Sequence, residues 1–224
     1  MNRPSCACVH HDWQRLVLSS SPAKLPQLHH RLEEGEAQDW PMDVISHWFW
    51  GVLATRKHVN WKIAGTMAVL PDLLAFLPSF MYSLAYGIDR PSVDDTTVTS
   101  DFPAITWEVY QYTHSAVVVT CAVLLTWWFF SRFQFARLKS NFAEHHRSKP
   151  LLMAFLLWVP WYLNILLDIP SHTLQFFPTP IFYPISDFGV DGTRWSTPIV
   201  LFTNVGALVL LWLYVLYRDH KAKS

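Results

Sequence analysis

Residues 197–217 read TPIVLFTNVGALVLLWLYVLY, a run without a charge that closes on Arg218, Asp219 and His220. A helix needs roughly 20 mostly apolar residues to cross the hydrocarbon core of a bilayer. This run meets that length, and three runs upstream share its character. Residues 151–167 are charge-free up to Asp168. Residues 115–130 are charge-free and extend back through Tyr110. Residues 61–88 are long and hold one acid, Asp72, with Pro71 before it and Pro78 after it. Proline inside a helix removes a hydrogen bond, so this span is expected to bend. Residues 44–54 are apolar but short, and span only if the helix starts near Trp40.

Composition agrees with a membrane chain. Of 224 residues, 51% are hydrophobic and 15% charged, where soluble domains carry roughly 25% charged residues. Aromatics at 16%, with 12 Trp, exclude a disordered chain. Seven Gly and no period exclude a collagen-like or repeat protein. The 17 basic residues balance 17 acidic ones, so no net field favours nucleic acid as a partner. Three Cys do not make a disulfide scaffold. Residues 1–40 are polar, lack the apolar core of a signal peptide, and read as a mobile tail ahead of a helical domain at 41–224. In that tail Cys6, Cys8, His10 and His11 are read as chance neighbours, and residues 25–36 as a short surface helix.

Basic residues mark cytoplasmic loops. Arg56, Lys57 and Lys62 follow the first span; Arg132, Arg137, Lys139, Arg147 and Lys149 follow the third; Arg218, Lys221 and Lys223 follow the last. The intervening loops are acidic, with Asp89, Asp94, Asp95 and Asp101 in one and Asp187 and Asp191 in the other. The alternation gives an all-α bundle of about five spans, amino end outside and carboxyl end cytoplasmic.

An acid at the centre of a spanning helix costs roughly 2.5–3.5 kcal/mol on insertion scales. Such residues usually face a protein interior and act there. Asp43 and His47 open the first span, Asp72 lies within the second, His114 opens the third, and Asp168 and His172 close the fourth. Two of these places share one pattern, Asp-Val-Ile-Ser-His and Asp-Ile-Pro-Ser-His. Residues four apart share a helix face, the spacing by which helices often present two ligands to one ion. Asn164 adds a polar group to the Asp168 stripe. Carboxylate and imidazole suit zinc, manganese or iron. By the topology, Asp43, His47, His114, Asp168 and His172 reach one level near the extracytoplasmic face, with Asp72 deeper. Each residue also has a plainer reading: Asp43 as a helix-start acid, His47 and His114 as interfacial side chains, Asp72 as a partner for backbone freed by Pro71, and Asp168–His172 as a local ion pair. The remaining His, at 29, 30, 58, 145, 146 and 220, fall in loops or tails and are read as solvated.

At His47, Pro71-Asp72, Thr113-His114-Ser115, and Asp168 with Ser171-His172, the chain resembles the membrane-bound metal-dependent hydrolases, multi-span bacterial proteins whose name rests mostly on inference. Thr179-Pro180 and Tyr183-Pro184 fit the same style. The resemblance covers about residues 42 to 200. Many members carry His-Arg shortly before Thr-His-Ser; here Val109 and Tyr110 stand there, with Glu108 as the substitute to consider. The resemblance implies hydrolysis in a bacterial inner membrane, and a distant likeness to zinc-dependent phospholipase C.

The reading is a metal-dependent hydrolase of the membrane. Its metal ligands are His47, Asp72, His114, Asp168 and His172. Asp43 orients His47 or takes the proton of the water. The cofactor is a divalent metal, zinc first, and the substrate a lipid or lipid-linked ester or phosphoester. No Gly-x-Ser-x-Gly elbow or P-loop is present. The rivals are an ion or proton transporter using the intramembrane Asp and His, and a haem-binding electron carrier.

Overall fold

A computed structural model of the chain describes residues 40–87, 96–133 and 136–224, with side chains from Val44 onward and without those of residues 136–137. The tail before residue 40, with its Cys and His, and the acids at 89, 94 and 95 lie outside the described residues, as does the side chain of Asp43.

The order is α1 (Trp40–Thr55), α2 (Trp61–Tyr86), α3 (Ala104–Thr113), α4 (Ala116–Arg132), α5 (Ala136–Lys139), α6 (Pro150–Ser171) and α7 (Pro198–Lys221). Short 3-10 turns lie at Thr99–Asp101 and Glu144–His146. The described residues form no strand, and two isolated bridges join Val59 to Phe142 and Thr173 to Phe176. Local chemistry sets the helix ends. The Asn60 side chain accepts from the Lys62 amide at 2.9 Å to start α2. Gly87, at φ 62°, closes α2 in the left-handed conformation that costs glycine least. Proline opens α6 and α7, where its missing N–H would lack a partner in any case.

Helices α2, α6 and α7 are each long and apolar enough to cross a membrane. Helices α3 and α4 meet at 57° across a short break and make a fourth candidate if they count as one crossing. The chain is therefore a multi-pass membrane protein by length and composition of its helices. The first expected span is the short one: α1 covers 16 residues, about 24 Å at 1.5 Å per residue, against a hydrocarbon core of about 30 Å. A bend that no proline marks lies between α3 and α4. Helix α2 runs as one helix through Pro71 and Pro78, while the third span breaks at His114 and Ser115.

Small residues let α1, α2 and α6 approach closely, as membrane helices prefer. A Cβ on Gly51 would lie 2.5 Å from the Ala68 Cβ and 3.0 Å from the Pro160 Cβ. Ala64 and Ala68 are buried at the same contact. Helix α7 packs on α1 and little else. Asn204 bridges them, its Oδ1 accepting from Trp50 Nε1 at 2.7 Å and its Nδ2 donating to Ser46 Oγ at 2.6 Å. Arg56 and Asp219 pair at 2.6 Å near the other end. Ile199 and Phe202, each 72% exposed, mark an apolar face that lipid would cover.

The loop after α6 folds back on that helix. Gly192, Thr193 and Trp195 donate their amides to the carbonyls of His172, Pro170 and Ser171 at 2.8–2.9 Å. These are last-turn carbonyls that a helix leaves without internal partners. A side chain at Gly192 would collide with the Pro170 and His172 carbonyls.

Candidate metal centre

Three helices and one break between helices bring their ionisable residues to one buried point. His47 comes from α1, Asp72 from α2, Asp168 from α6, and His114 from the break between α3 and α4. All four side chains are nearly or wholly removed from solvent. His47 Nε2 lies 3.1 Å from Asp168 Oδ1. His114 Nε2 lies 3.2 Å from Asp72 Oδ1 and 3.2 Å from Asp168 Oδ2. One ligating atom from each of His47, Asp72 and Asp168 falls within 4.8 Å of the other two, close enough to share a metal ion.

Neighbouring groups aim these side chains. His114 leaves the helix because α3 stops at Thr113, and Ser115 then caps α4 by accepting from the Val118 amide at 3.3 Å. The Ser115 hydroxyl also donates to the Tyr183 carbonyl at 2.5 Å, tying the break to the following loop. His114 Nδ1 is 3.3 Å from the Tyr110 carbonyl and 3.0 Å from Thr113 Oγ1. Its Nε2 therefore faces the carboxylates. Binding Nδ1 to a backbone carbonyl is how ligating histidines fix their tautomer. Asn164 holds the other side. Its Nδ2 donates to Asp72 Oδ2 at 2.8 Å and to the Ala68 carbonyl at 3.1 Å. Its Oδ1 is buried with no hydrogen-bond partner among the described residues, which leaves one oxygen donor beside the carboxylates.

Two expectations about depth and facing change here. Asp72 is level with the other ligands, since its carboxylate touches His114 directly. It also looks across the bundle at α6 and His114 and not back at the backbone around Pro71. His172 is not part of the three-residue group. The two Asp-x-x-Ser-His segments fold differently. In α1 the segment stays helical. In α6 the helix ends at Ser171, one residue past Pro170, and His172 turns to an extended conformation at φ −117°, ψ 151°. Its Nδ1 lies 2.7 Å from the Tyr110 hydroxyl and 2.9 Å from the Phe177 carbonyl. This again leaves Nε2 as the nitrogen to ligate, and His172 stays within electrostatic reach of Asp168.

Tyr110, which with Val109 stands where many members of the resembled family carry His-Arg, is a site residue that sequence reasoning does not single out. It is fully buried, stacks on His114 at a centroid distance of 3.7 Å, and meets His172 through its hydroxyl. A buried tyrosine hydroxyl needs a partner, and it is the burial, not the sequence, that marks this one. Glu108, the candidate substitute, is exposed and joins no ligand group. Phe177 carries a positive φ of 46° while fully buried, uncommon for a bulky residue. Its carbonyl is the acceptor for His172, so the strained backbone sits at the group that aims a candidate ligand.

A cleft of about 390 Å³ opens between α1, α6 and α7 and reaches His47. Ser46, Trp50, Leu167, Thr193 and Asn204 are among its lining residues. The expectation of solvated histidines also fails at one place. His58, His145 and His146 gather into a second group of close ring nitrogens, and His146 is buried.

Two buried carboxylates with oxygens within 4.8 Å of each other require compensating positive charge. Protonated imidazoles or a divalent cation both supply it. The donor set of imidazole nitrogens and carboxylate oxygens suits zinc, manganese or iron, and the buried Asn164 oxygen without a partner fits a site with room for one more bond. In comparisons with family models, with curated proteins and with solved structures, the chain matches none.

Proposed function

We propose that the protein is a membrane-embedded metal-dependent hydrolase acting on a lipid or lipid-linked ester or phosphoester. The observation that carries this reading is the meeting of His47, Asp72, His114 and Asp168 at 3.1–3.2 Å inside the bundle. Asp168 and Asp72 would hold the divalent ion with His47 and His114, and His172 would complete the set through Nε2. When bound, such an ion supplies an acidified water and a Lewis acid for the scissile bond.

The chain's own residues do the rest. Asn164 and Tyr110 orient the carboxylate and imidazole groups. The apolar helix walls exclude bulk water, which strengthens every charge interaction within. Asp43 stands one helical turn before His47 and takes the role of proton acceptor. The cleft between α1, α6 and α7 gives an acyl chain a route from the bilayer to His47, with Ser46 and Asn204 as polar groups along it. Five crossings, with α1 paired against α2 and the carboxyl end in the cytoplasm, agree with the alternating loop charges.

A transporter reading asks for ionisable groups at several depths. The buried acids of the described residues, Asp72 and Asp168, meet at a single level, which favours hydrolysis. The test is hydrolysis of fluorogenic phosphoester and acyl-ester lipids by the detergent-purified chain. Activity that a chelator abolishes and zinc or manganese restores, and that Asp168→Asn lacks, supports the reading. Ester and phosphoester lipids left intact by the metal-loaded protein would overturn it.

A further inference from the structure

The three histidines read from sequence as solvated form a built cluster of their own. His58 lies in the α1–α2 connection, and His145 and His146 in the 3-10 turn before α6. Backbone pairing clamps the two connections together. The Asn60 amide donates to the Asn141 carbonyl at 2.7 Å, and the Ala143 amide donates to the His58 carbonyl at 2.9 Å. Val59 and Phe142, both buried, form the bridge between them. This clamp sets His58 Nδ1 2.9 Å from His146 Nε2. The His145 and His146 rings are 3.8 Å apart, centroid to centroid. One ring nitrogen from each of the three lies within 4.8 Å of the others.

We infer that His58, His145 and His146 form a second transition-metal site, suited to zinc, that staples the α1–α2 connection to the segment leading into α6. Imidazole is the ligand type zinc, copper, nickel and cobalt favour. A zinc ion bound at about 2.0–2.1 Å in tetrahedral geometry sets its ligand nitrogens about 3.3 Å apart. The His58–His146 pair is a few tenths of an ångström from that spacing, and the exposed His145 has the freedom to close on it. His146 Nδ1 is buried and has no hydrogen-bond partner among the described residues. The charged neighbours oppose the site only in part. The Arg56 guanidinium is engaged by Asp219, and Arg147 turns to the Phe142 and Ser140 carbonyls, which leaves Lys149 as the cation noted near His146.

The site is distinct from the buried Asp–His centre. His146 precedes the start of α6 and Asp168 lies in its last turn, about 27 Å along the helix axis from Pro150. A test specific to these residues keeps the two separate. Diethylpyrocarbonate labelling of the full chain in detergent, read residue by residue by peptide mass spectrometry, is compared with and without zinc. Zinc is expected to protect His58, His145 and His146 together. His145→Ala, a change at the exposed member, is expected to abolish zinc protection of His58 while leaving its labelling without zinc unchanged. Labelling of His58 and His145 that zinc does not alter, or protection of His58 that survives in His145→Ala, would overturn the inference and leave an imidazole–imidazole hydrogen bond.

Discussion

Asp168 is the residue on which the centre turns, because both its oxygens face imidazole nitrogens and water does not reach it. Removing one partner of a buried ion pair costs about 3–5 kcal/mol. Asp168→Ala is therefore expected to lower the thermal midpoint in detergent sharply and to remove bound metal; an unchanged melting curve with metal retained would contradict the geometry. Tyr110 acts one step further out. Tyr110→Phe keeps the stacking on His114 and loses the hydroxyl contact to His172, so it should weaken metal affinity about 10–100-fold, as loss of a group orienting a ligand does, while costing only about 1 kcal/mol of stability. Equilibrium dialysis with zinc reads the first effect and a denaturation curve the second. His47, Asp72, His114 and Asp168 were legible in the sequence because acids and imidazoles inside apolar runs are costly and so conspicuous. Tyr110 was not legible, since a tyrosine is at home in an apolar run and only its burial reveals a role. The His58, His145 and His146 group was not legible either. Its members lie far apart in sequence, and the backbone pairing that joins them has no motif.

At the scale of elements, the spans were legible from the apolar runs of α2, α6 and α7, and the details that position the site were not. Helix α2 continues as one helix through both prolines, and a break that no proline marks comes at His114 and Ser115. The serine decides this. Its side chain caps a new helix, so the chain gains a hydrogen-bond acceptor by stopping and restarting. The repeated Asp-x-x-Ser-His pattern suggested two equal helical ligand pairs, but Pro170 precedes the end of α6 and frees His172 from the helix. The α6 end then depends on the loop that caps it. Gly192→Ala places a methyl group against the Pro170 and His172 carbonyls, and overpacking of this kind costs about 1–3 kcal/mol. Hydrogen exchange of the amides of Thr193 and Trp195 should accelerate in that variant, together with weaker metal binding. Exchange unchanged from the wild type would show that the loop does not hold the helix end.

For the whole molecule, an excess of exposed apolar surface and a buried polar centre are two sides of one arrangement. The outer helix faces need lipid, and the interior, freed from the task of supplying a hydrophobic core alone, accommodates charge. Loop charges predict that a single cysteine placed at Ser224 reacts with an impermeant thiol reagent only from the cytoplasmic side, and one at Asp187 only from the other. Reaction of both from one side would sink the five-crossing topology. The central claim is the buried metal, and elemental analysis tests it most directly. The full chain, purified in detergent with His145→Ala to silence the second cluster, is compared with the same chain carrying His114→Ala and His172→Ala. The geometry predicts about one equivalent of zinc, manganese or iron in the first protein and none in the second, with helical content equal in both. No metal in either after reconstitution, in folded protein, would contradict it and leave His47, Asp72, His114 and Asp168 as a network of protonated imidazoles and carboxylates.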